Sequence, residues 1–448
     1  MLNIAITGAG PVGLTLARLL LPYTSHTSST PRVQITIFEK DTSSTSRTSI
    51  GGSLDLHPKT GLAAIRACEL YSQFEKYARF EGEEMRMCDL NGFCYVHQID
   101  VPESIAAEHA RPEIDRVKLM EILLESIPDS MIRWGKQVKE VIESEKGRWS
   151  IKFADETVEG PFDLVVGADG AWSKARKALT DVEPAYSGIC GVTVGIDADS
   201  AGESWDSIQS MIGKGNNFSF SFGRSCMGQR QGSGSIKASF YQRREIDWIN
   251  ELNEKYKGNG QALKRILLDE YKDWVPEFRQ WIVAAKNFWC HPLWELPVGH
   301  RFKHKAGITL IGDAAHLMTP FAGEGVNAGM RDALDLAEAI QKSIENDQDL
   351  DEQVAAFEES MFVRMQTFMT ETQINKDGMY AMDAPYSFFS AMIGQVAKEF
   401  GYPLDKGVLW FVPVKRITYS IFWLMGSYGA LRRKARSYFT TERQVELA

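Results

Sequence analysis

The sequence has no cysteines at metal-binding or disulfide-scaffold spacing. Cys68, Cys88, Cys94, Cys190, Cys226 and Cys290 lie far apart, and no two form a CxxC pair. This speaks against a zinc framework or a stapled secreted scaffold and leaves reduced thiols in an intracellular protein. No metal site is expected. Positive charge is not in excess either. The formal net charge is -9, so nucleic acid is not an expected partner. No basic segment precedes the apolar run Leu2 to Ile6, so no secretory signal is expected and the chain reads as cytoplasmic. No apolar run reaches the roughly 20 residues that a bilayer span requires. Residues 417–431 come closest: they carry no charge and are flanked by Lys415-Arg416 and by Arg432-Arg433-Lys434. Thr, Ser, Gly and Tyr interrupt the run. A packed helix or helix pair is the first reading, and a peripheral membrane contact is the alternative. Internal repeats and long low-complexity tracts are absent.

What remains is an ordinary globular composition, 44% hydrophobic and 24% charged over 448 residues. That length suggests two or three structural units. The start reads as β-α-β. Leu2 to Thr7 is an apolar strand, Leu14 to Leu21 is helical, and Val33 to Phe38 is an alternating strand that ends at Glu39. Between the first strand and the helix stand Gly8, Gly10 and Gly13 in GxGxxG spacing. Such glycines allow a tight turn, close approach of a pyrophosphate to the backbone, and close packing of helix on strand. The helix N-terminus offers free N–H groups and positive dipole to the phosphates. Glu39 follows Gly13 by 26 residues (39 minus 13), against the usual ~20. The polar loop Thr24 to Pro31 accounts for the excess. Glu39 thus stands where a carboxylate accepts hydrogen bonds from adenosine ribose hydroxyls.

GxGxxG alone does not separate FAD from NAD. Two later segments do. Val165 to Gly170 is a strand end with the acidic turn Asp169-Gly170. Leu310 to His316 carries Gly312-Asp313 and leads through Pro320-Phe321-Ala322-Gly323-Glu324-Gly325 into a helix. A carboxylate at a strand end suits a ribitol hydroxyl. A glycine loop at a helix N-terminus suits the N1–C2=O edge of a flavin, which turns negative on reduction. The stretch from Tyr186 to Tyr241 alternates like strands, residues 245–287 read as helical, and the last hundred residues are mostly helical. The expected architecture is α/β. A Rossmann-like FAD-binding domain (residues 1–180, with a short excursion to the substrate domain near 81–105) is interrupted by a β-rich substrate domain (181–290). A return segment (291–345) and a C-terminal helical region (346–448) follow.

Together these motifs resemble the class A flavoprotein monooxygenases of the aromatic hydroxylase type. The resemblance covers roughly residues 1–345 and includes Gly51 to His57, Pro112 to Leu119, the Asp169-Gly170 turn, and Gly312-Asp313 through Asn327. It implies FAD as cofactor and NADPH or NADH as co-substrate. It implies that Arg116 lies beside the ribityl-pyrophosphate, where a guanidinium fork suits phosphate. Asp55 would contact the flavin side of the pocket and Asp313 the ribityl chain. Gly323, Gly325 and Val326 would present N–H groups to the flavin ring. Arg47 resembles a residue assigned to NADPH, and Asp169 an acidic residue linked to both FAD and nicotinamide use. Two positions depart from the family: Thr319 stands where proline is common, and Glu324 where glutamine is. A carboxylate facing reduced flavin would oppose its charge, so Glu324 is expected to point away. His316 is expected to be structural.

The chemistry that the resemblance implies is insertion of one atom of dioxygen into a small, electron-rich substrate (phenolic, enolic or polyketide-like) through a C4a-hydroperoxyflavin. No protein side chain is required as acid or base. The substrate would lie between the flavin face and the β-rich insertion. Phe218, Phe220 and Phe222 would alternate on one strand to wall it, with Lys237 on the following strand as a polar contact. No second strand–GxGxxG–helix unit is visible, since Gly232-Ser233-Gly234 follows a polar stretch, so NAD(P)H has no Rossmann domain of its own. Epoxidation, another flavin redox reaction on a lipophilic substrate from a membrane, and a non-enzymatic flavin sensor are the alternatives. A monomer or homodimer is expected.

Overall fold

The computed structural model describes residues 1–44, 51–99, 110–399, 409 and 412–427. They form two compact units. The first comprises Met1–Phe80, Ser104–Ser187 and Trp294–Gln373; the second comprises Glu81–Glu103, Gly188–Leu293 and Ile374–Ala448. Arg47 lies outside the described residues.

The first unit is built on a five-stranded sheet, and every pairing in it is parallel. Leu2–Thr7 is the central strand. Val33–Glu39 and then Ile132–Trp134 lie on one side of it, Leu164–Gly167 and then Ile308–Leu310 on the other. Central strands of a parallel sheet are covered on both faces, which explains the unbroken apolar runs Ile4 to Ile6 and Leu164 to Val166, all buried. Helix Pro11–Leu20 follows the central strand. It packs against the long helix Gly325–Asn346, where a methyl on Gly329 would lie 2.6 Å from Val12 Cγ2. A side ribbon pairs Ser53–Asp55 with Glu113–Asp115. Arg79 pins it, donating to Ser53 Oγ (2.6 Å) and Glu113 Oε2 (2.9 Å). A three-stranded antiparallel meander (Val138–Glu145, Arg148–Phe153, Val158–Phe162) completes the unit's β structure among the described residues.

The second unit carries a seven-stranded sheet in the order Lys286–Glu295, Ala185–Ile196, Ile236–Arg243, Arg224–Arg230, Asn216–Ser221, Met85–Cys88, Cys94–Gln98. Its two faces differ. One is sealed by the helices Ile246–Tyr256, Gly260–Glu270 and Pro276–Val283 and the residues joining them. Phe240 meets Tyr271 edge-on, and the Tyr271, Trp274, Phe278 and Trp281 rings form a continuous chain. The other face presents Phe218, Met227 and Ser239, which lie opposite one another in register and are half-buried.

Four sequence expectations need correction here. Phe222 is not on the strand with Phe218 and Phe220. That strand ends at Ser221, and Phe222 lies in the hairpin turn with φ +48, followed by Gly223 at φ +72. Two positive φ values in succession are the hairpin geometry that matches strand twist, and they leave Phe222 about half exposed. Phe220 shares its face with Phe218, yet it is fully buried because Phe388 covers that end of the sheet, ring centroids 4.6 Å apart. Lys237 is not on the next strand. The strand Arg224–Arg230 intervenes, so Lys237 pairs with Gln229, which pairs with Asn216. The alternation-based reading missed that intervening strand because its residues, RSCMGQR, are mostly polar or small. It also extended the helical stretch into the strand Lys286–Glu295.

Candidate functional site

In an open parallel sheet, ligands bind beyond the carboxyl ends of the strands. Each sequence motif of interest follows such an end in the first unit. Gly8 follows Thr7, with φ +98, and a methyl there would lie 2.5 Å from Ala168 O. The glycine turn and the Asp169-Gly170 turn are therefore in contact. Gly13 is as tightly constrained, since its methyl would lie 2.2 Å from Gly8 O. Gly10 differs: nothing lies within 4 Å of the place where its Cβ would stand. Gly10 is also the N-cap of the first helix, with no side-chain cap and no acidic residue in the first turn. The turn is thus packed on one side and open above the helix N-terminus, as an anion requires.

Glu39 is buried at the end of its strand. Its Oε2 accepts from Ala9 N (2.8 Å) and its Oε1 from Asp41 N (3.0 Å). The carboxylate therefore braces the glycine turn from the neighbouring strand. Asp169 closes its own turn, accepting from Ser173 Oγ (2.5 Å) and Lys174 N (2.7 Å). Arg176 was passed over as a site residue in the sequence. It is buried, and it donates to Ala171 O (2.6 Å), Ala314 O (3.1 Å) and Asp313 O (3.4 Å). One guanidinium thereby ties the Asp169 turn to the Asp313 turn. A lone arginine after DG carried no signal that its fork reaches 138 residues along the chain.

Asp313 follows the strand Ile308–Leu310 and is exposed. Its side chain keeps accessible surface, yet the protein atoms crowded around it raise its carboxyl above the ordinary value, against the pull of His316, Arg116 and Arg176. Among the described residues no hydrogen bond from the protein holds this carboxylate. Behind it the turn is rigid. Asp332, at 0% exposure, accepts from Gly312 N (2.9 Å), from His316 Nε2 and from Arg364 (2.7 Å). Burial alone would raise the Asp332 carboxyl; His316, Arg364 and the Gly312 N–H outweigh it and hold it low. His316 is buried in this network.

The glycine loop completes the site. Gly323 has φ +70, and a methyl there would lie 3.6 Å from Asp55 Oδ1. Gly325 opens onto space, with nothing within 4 Å of its Cβ position. The helix it starts has Glu324 as N-cap, no side-chain cap and no acid in its first turn. Asn327, fully buried, joins this loop to the side ribbon by accepting from His57 N (2.8 Å) and donating to Asp55 O (2.8 Å) and Gly323 O (3.3 Å). Arg116 starts the helix Arg116–Glu125, is exposed, and its side chain lies 2.8 Å from a Gly51 Cβ position. His57, with 8% side-chain exposure, lies between two carboxylates, Nε2 2.9 Å from Asp55 Oδ2 and Nδ1 3.2 Å from Glu324 Oε1. Burial alone would strip its proton; the hydrogen bonds to Asp55 and Glu324 raise it to about 9. The stability this adds is full below the ordinary 6.5 and is lost as pH rises through about 9. Nothing local in the sequence assigns His57 a role.

Open glycines over two uncapped helix N-termini, a ribose-position carboxylate and an unpartnered Asp313 fit FAD. The comparisons agree. Residues 298–355 match the family model described as FAD binding domain. Monooxygenase asqM of Emericella nidulans is 33% identical over 390 residues, covering 76% of this chain and 84% of that one. This chain belongs to the class A FAD-dependent monooxygenases. Monooxygenase penA of Penicillium thymicola is 31% identical over 425 residues, covering 83% and 94%. The crystal structure of Klebsiella pneumoniae HpxO with FAD and uric acid superposes with a TM-score of 0.70 at 16% identity, covering 95% of this monooxygenase and 97% of HpxO. At that identity the likeness speaks for the fold alone.

Proposed function

We propose that this monooxygenase hydroxylates a small electron-rich substrate, phenolic, enolic or polyketide-like, with NADPH or NADH as electron donor. FAD, when bound, supplies the oxygen-activating chemistry. The observation that carries the reading is the pair of uncapped helix N-termini, at Gly10 and at Gly325, each under open space and packed together through Val12. The first suits a pyrophosphate. The second offers the N–H groups of Gly325 and Val326 to a ring edge that becomes negative on reduction. Glu39 would hold the ribose, Asp313 the ribityl hydroxyls, and Arg116 the phosphates. Asp55 would border the flavin ring beside Gly323. The half-buried sheet face with Phe218, Met227, Asn216, Gln229 and Lys237 suits a flat substrate with a polar rim. HpxO was crystallised with uric acid, itself such a ring. Epoxidation of an electron-rich double bond uses the same site. A panel of phenols, enols and olefins, assayed for stimulated NADPH oxidation and for one atom from labelled dioxygen in the product, tests the reading. Oxygen in the product as an epoxide, or none at all, contradicts hydroxylation.

For the donor, Arg47→Ala is expected to raise the KM for NADPH about tenfold, the loss of one exposed phosphate contact worth roughly 1–2 kcal/mol, with FAD retained. A KM within twofold of the parent removes Arg47 from the site.

A peripheral membrane contact has one observation in its favour. Residues 412–427 are helical. Phe422 stacks on Phe389, whereas Ile417, Leu424 and Met425 are about 60% exposed on the helix surface. Lys415 is buried and paired with Asp383, whereas Arg416 is exposed and Arg432, Arg433 and Lys434 follow it in the sequence with no acidic residue between, which suits an anionic bilayer surface. Among the described residues no helix is long and apolar enough to cross a membrane. Sedimentation with anionic vesicles, but not with neutral ones, is expected. Leu424→Glu should weaken it about tenfold or more; equal binding by parent and variant rules the contact out.

A further inference from the structure

Glu324 is the N-cap of the 22-residue helix Gly325–Asn346, and its side chain does not cap. Short polar side chains with extended backbone cap a helix through its N2 or N3 N–H; Glu324 is longer and has helical backbone angles (φ -92, ψ -14), and what draws its carboxylate toward the first turn is the helix dipole. Glu324 instead meets His57, 3.2 Å from Nδ1. Its other oxygen, Oε2, is buried and has no hydrogen-bond partner among the described residues. His57 is itself fixed from behind: Nε2 lies 2.9 Å from Asp55 Oδ2, and its backbone N–H is held by Asn327. An imidazolium donates from both nitrogens and so holds both carboxylates, whereas a neutral ring donates from one only. The charged groups facing His57 are Asp55 from its own segment and Glu324 from the glycine loop. The helix beneath contributes the neutral Asn327, while its Arg331 is turned to Lys59 O and to Asp335.

We propose that His57 is a positioning residue that keeps Glu324 off the first-turn N–H groups of Val326 and Asn327, so that the Val326 donor stays free for the cofactor. Without the imidazolium, Glu324 folds back onto its own helix and competes with the flavin edge for the Val326 N–H. It also brings a negative charge to the place where the reduced ring is negative. The glutamate thus becomes an inhibitory cap, and the histidine is what disarms it. The inference rests on the reading that FAD meets Gly325 and Val326.

The test is FAD affinity of the full chain, followed by flavin fluorescence on dilution of the holoprotein, with no turnover needed. His57→Ala is expected to weaken FAD binding roughly ten- to thirtyfold, the scale of gaining an N-cap and its dipole interaction. Adding Glu324→Gln to that variant is expected to bring affinity back to within about threefold of the parent. Because Glu324→Gln also relieves a carboxylate left unpaired by His57→Ala, urea midpoints are measured alongside, and the proposal expects FAD affinity to recover by more than stability does; recovery of affinity only in step with stability overturns it. If His57→Ala does not fold, the parent carries the test. Its FAD affinity should fall as pH rises through the His57 transition, and Glu324→Gln alone should abolish that dependence. A double variant as weak as His57→Ala, or the same pH dependence with and without Glu324→Gln, overturns the proposal and leaves the cofactor reading standing. A parent that binds no FAD overturns both.

Discussion

Replacing Asp313 by alanine is expected to give a folded protein that has lost most of its FAD. The carboxylate accepts no hydrogen bond from the described residues, and Asp313 is exposed where its strand ends. No internal partner is stranded by its removal, so the fold should be little changed. The turn itself is held by main-chain and neighbouring groups: Arg176 on Asp313 O and Ala314 O, and Asp332 on Gly312 N. On the proposed reading, what goes are the contacts that Asp313 would make to ribityl hydroxyls. Charge-assisted hydrogen bonds are worth roughly 1.5–3 kcal/mol each, so even one amounts to a factor of about ten to a hundred in affinity. Circular dichroism should overlay that of the parent while the flavin-to-protein ratio after gel filtration falls several-fold. Unchanged flavin content at micromolar protein would remove Asp313 from the cofactor site.

The complementary substitution is Asp332→Ala, and its effect falls on stability. Asp332 has no accessible surface and serves three donors: the Gly312 N–H, the His316 ring and the Arg364 guanidinium. Alanine leaves the arginine and the histidine facing each other's environment without the anion that they share. Breaking such a buried pair costs about 3–5 kcal/mol, enough to lower a urea midpoint clearly. The sign of the pH effect also follows. The Asp332 carboxyl is held below its ordinary 3.8, so its contribution is present above that value and is lost as pH falls through the lower, folded one. Parent and variant should therefore converge in stability at strongly acidic pH. A midpoint shift of less than about 1 kcal/mol at neutral pH would show that the network is not what holds the Gly312-Asp313 turn.

These two positions also show how much of the site the sequence carries. The placement of Gly8, Gly10, Gly13, Glu39 and Asp313 at strand ends and helix starts is legible because it depends on local facts: a strand ends, a turn follows, a helix begins. Distant pairings are not legible in that way. Asp55, His57 and Glu324 meet across 267 residues (324 minus 57), and a single sequence has no period or motif that joins them. Arg176 and Asp332 are of the same kind. Each reads as an ordinary charge in a loop or on a helix, and each is buried because a turn from another part of the chain needs its donors or acceptors. The aromatic wall failed for a third reason. Alternation places Phe218 and Phe220 on one face correctly. Which end of that face is covered depends on Phe388, 168 residues later (388 minus 220). Phe222 fell beyond the strand because the turn at Phe222-Gly223 lacks the Asn-Gly or Asp-Gly pair that marks most such hairpins.

On the proposed reading, the first unit holds FAD, without a covalent link, on the glycine turn, Asp313 and the loop at Gly325. The most direct measurement is the flavin content of the purified protein before and after denaturation. The account predicts a yellow protein carrying about one FAD per chain, as expected for a single dinucleotide site, all of it released into the supernatant on denaturation. A colourless protein that takes up no added FAD, or flavin that stays with the denatured chain, would contradict it.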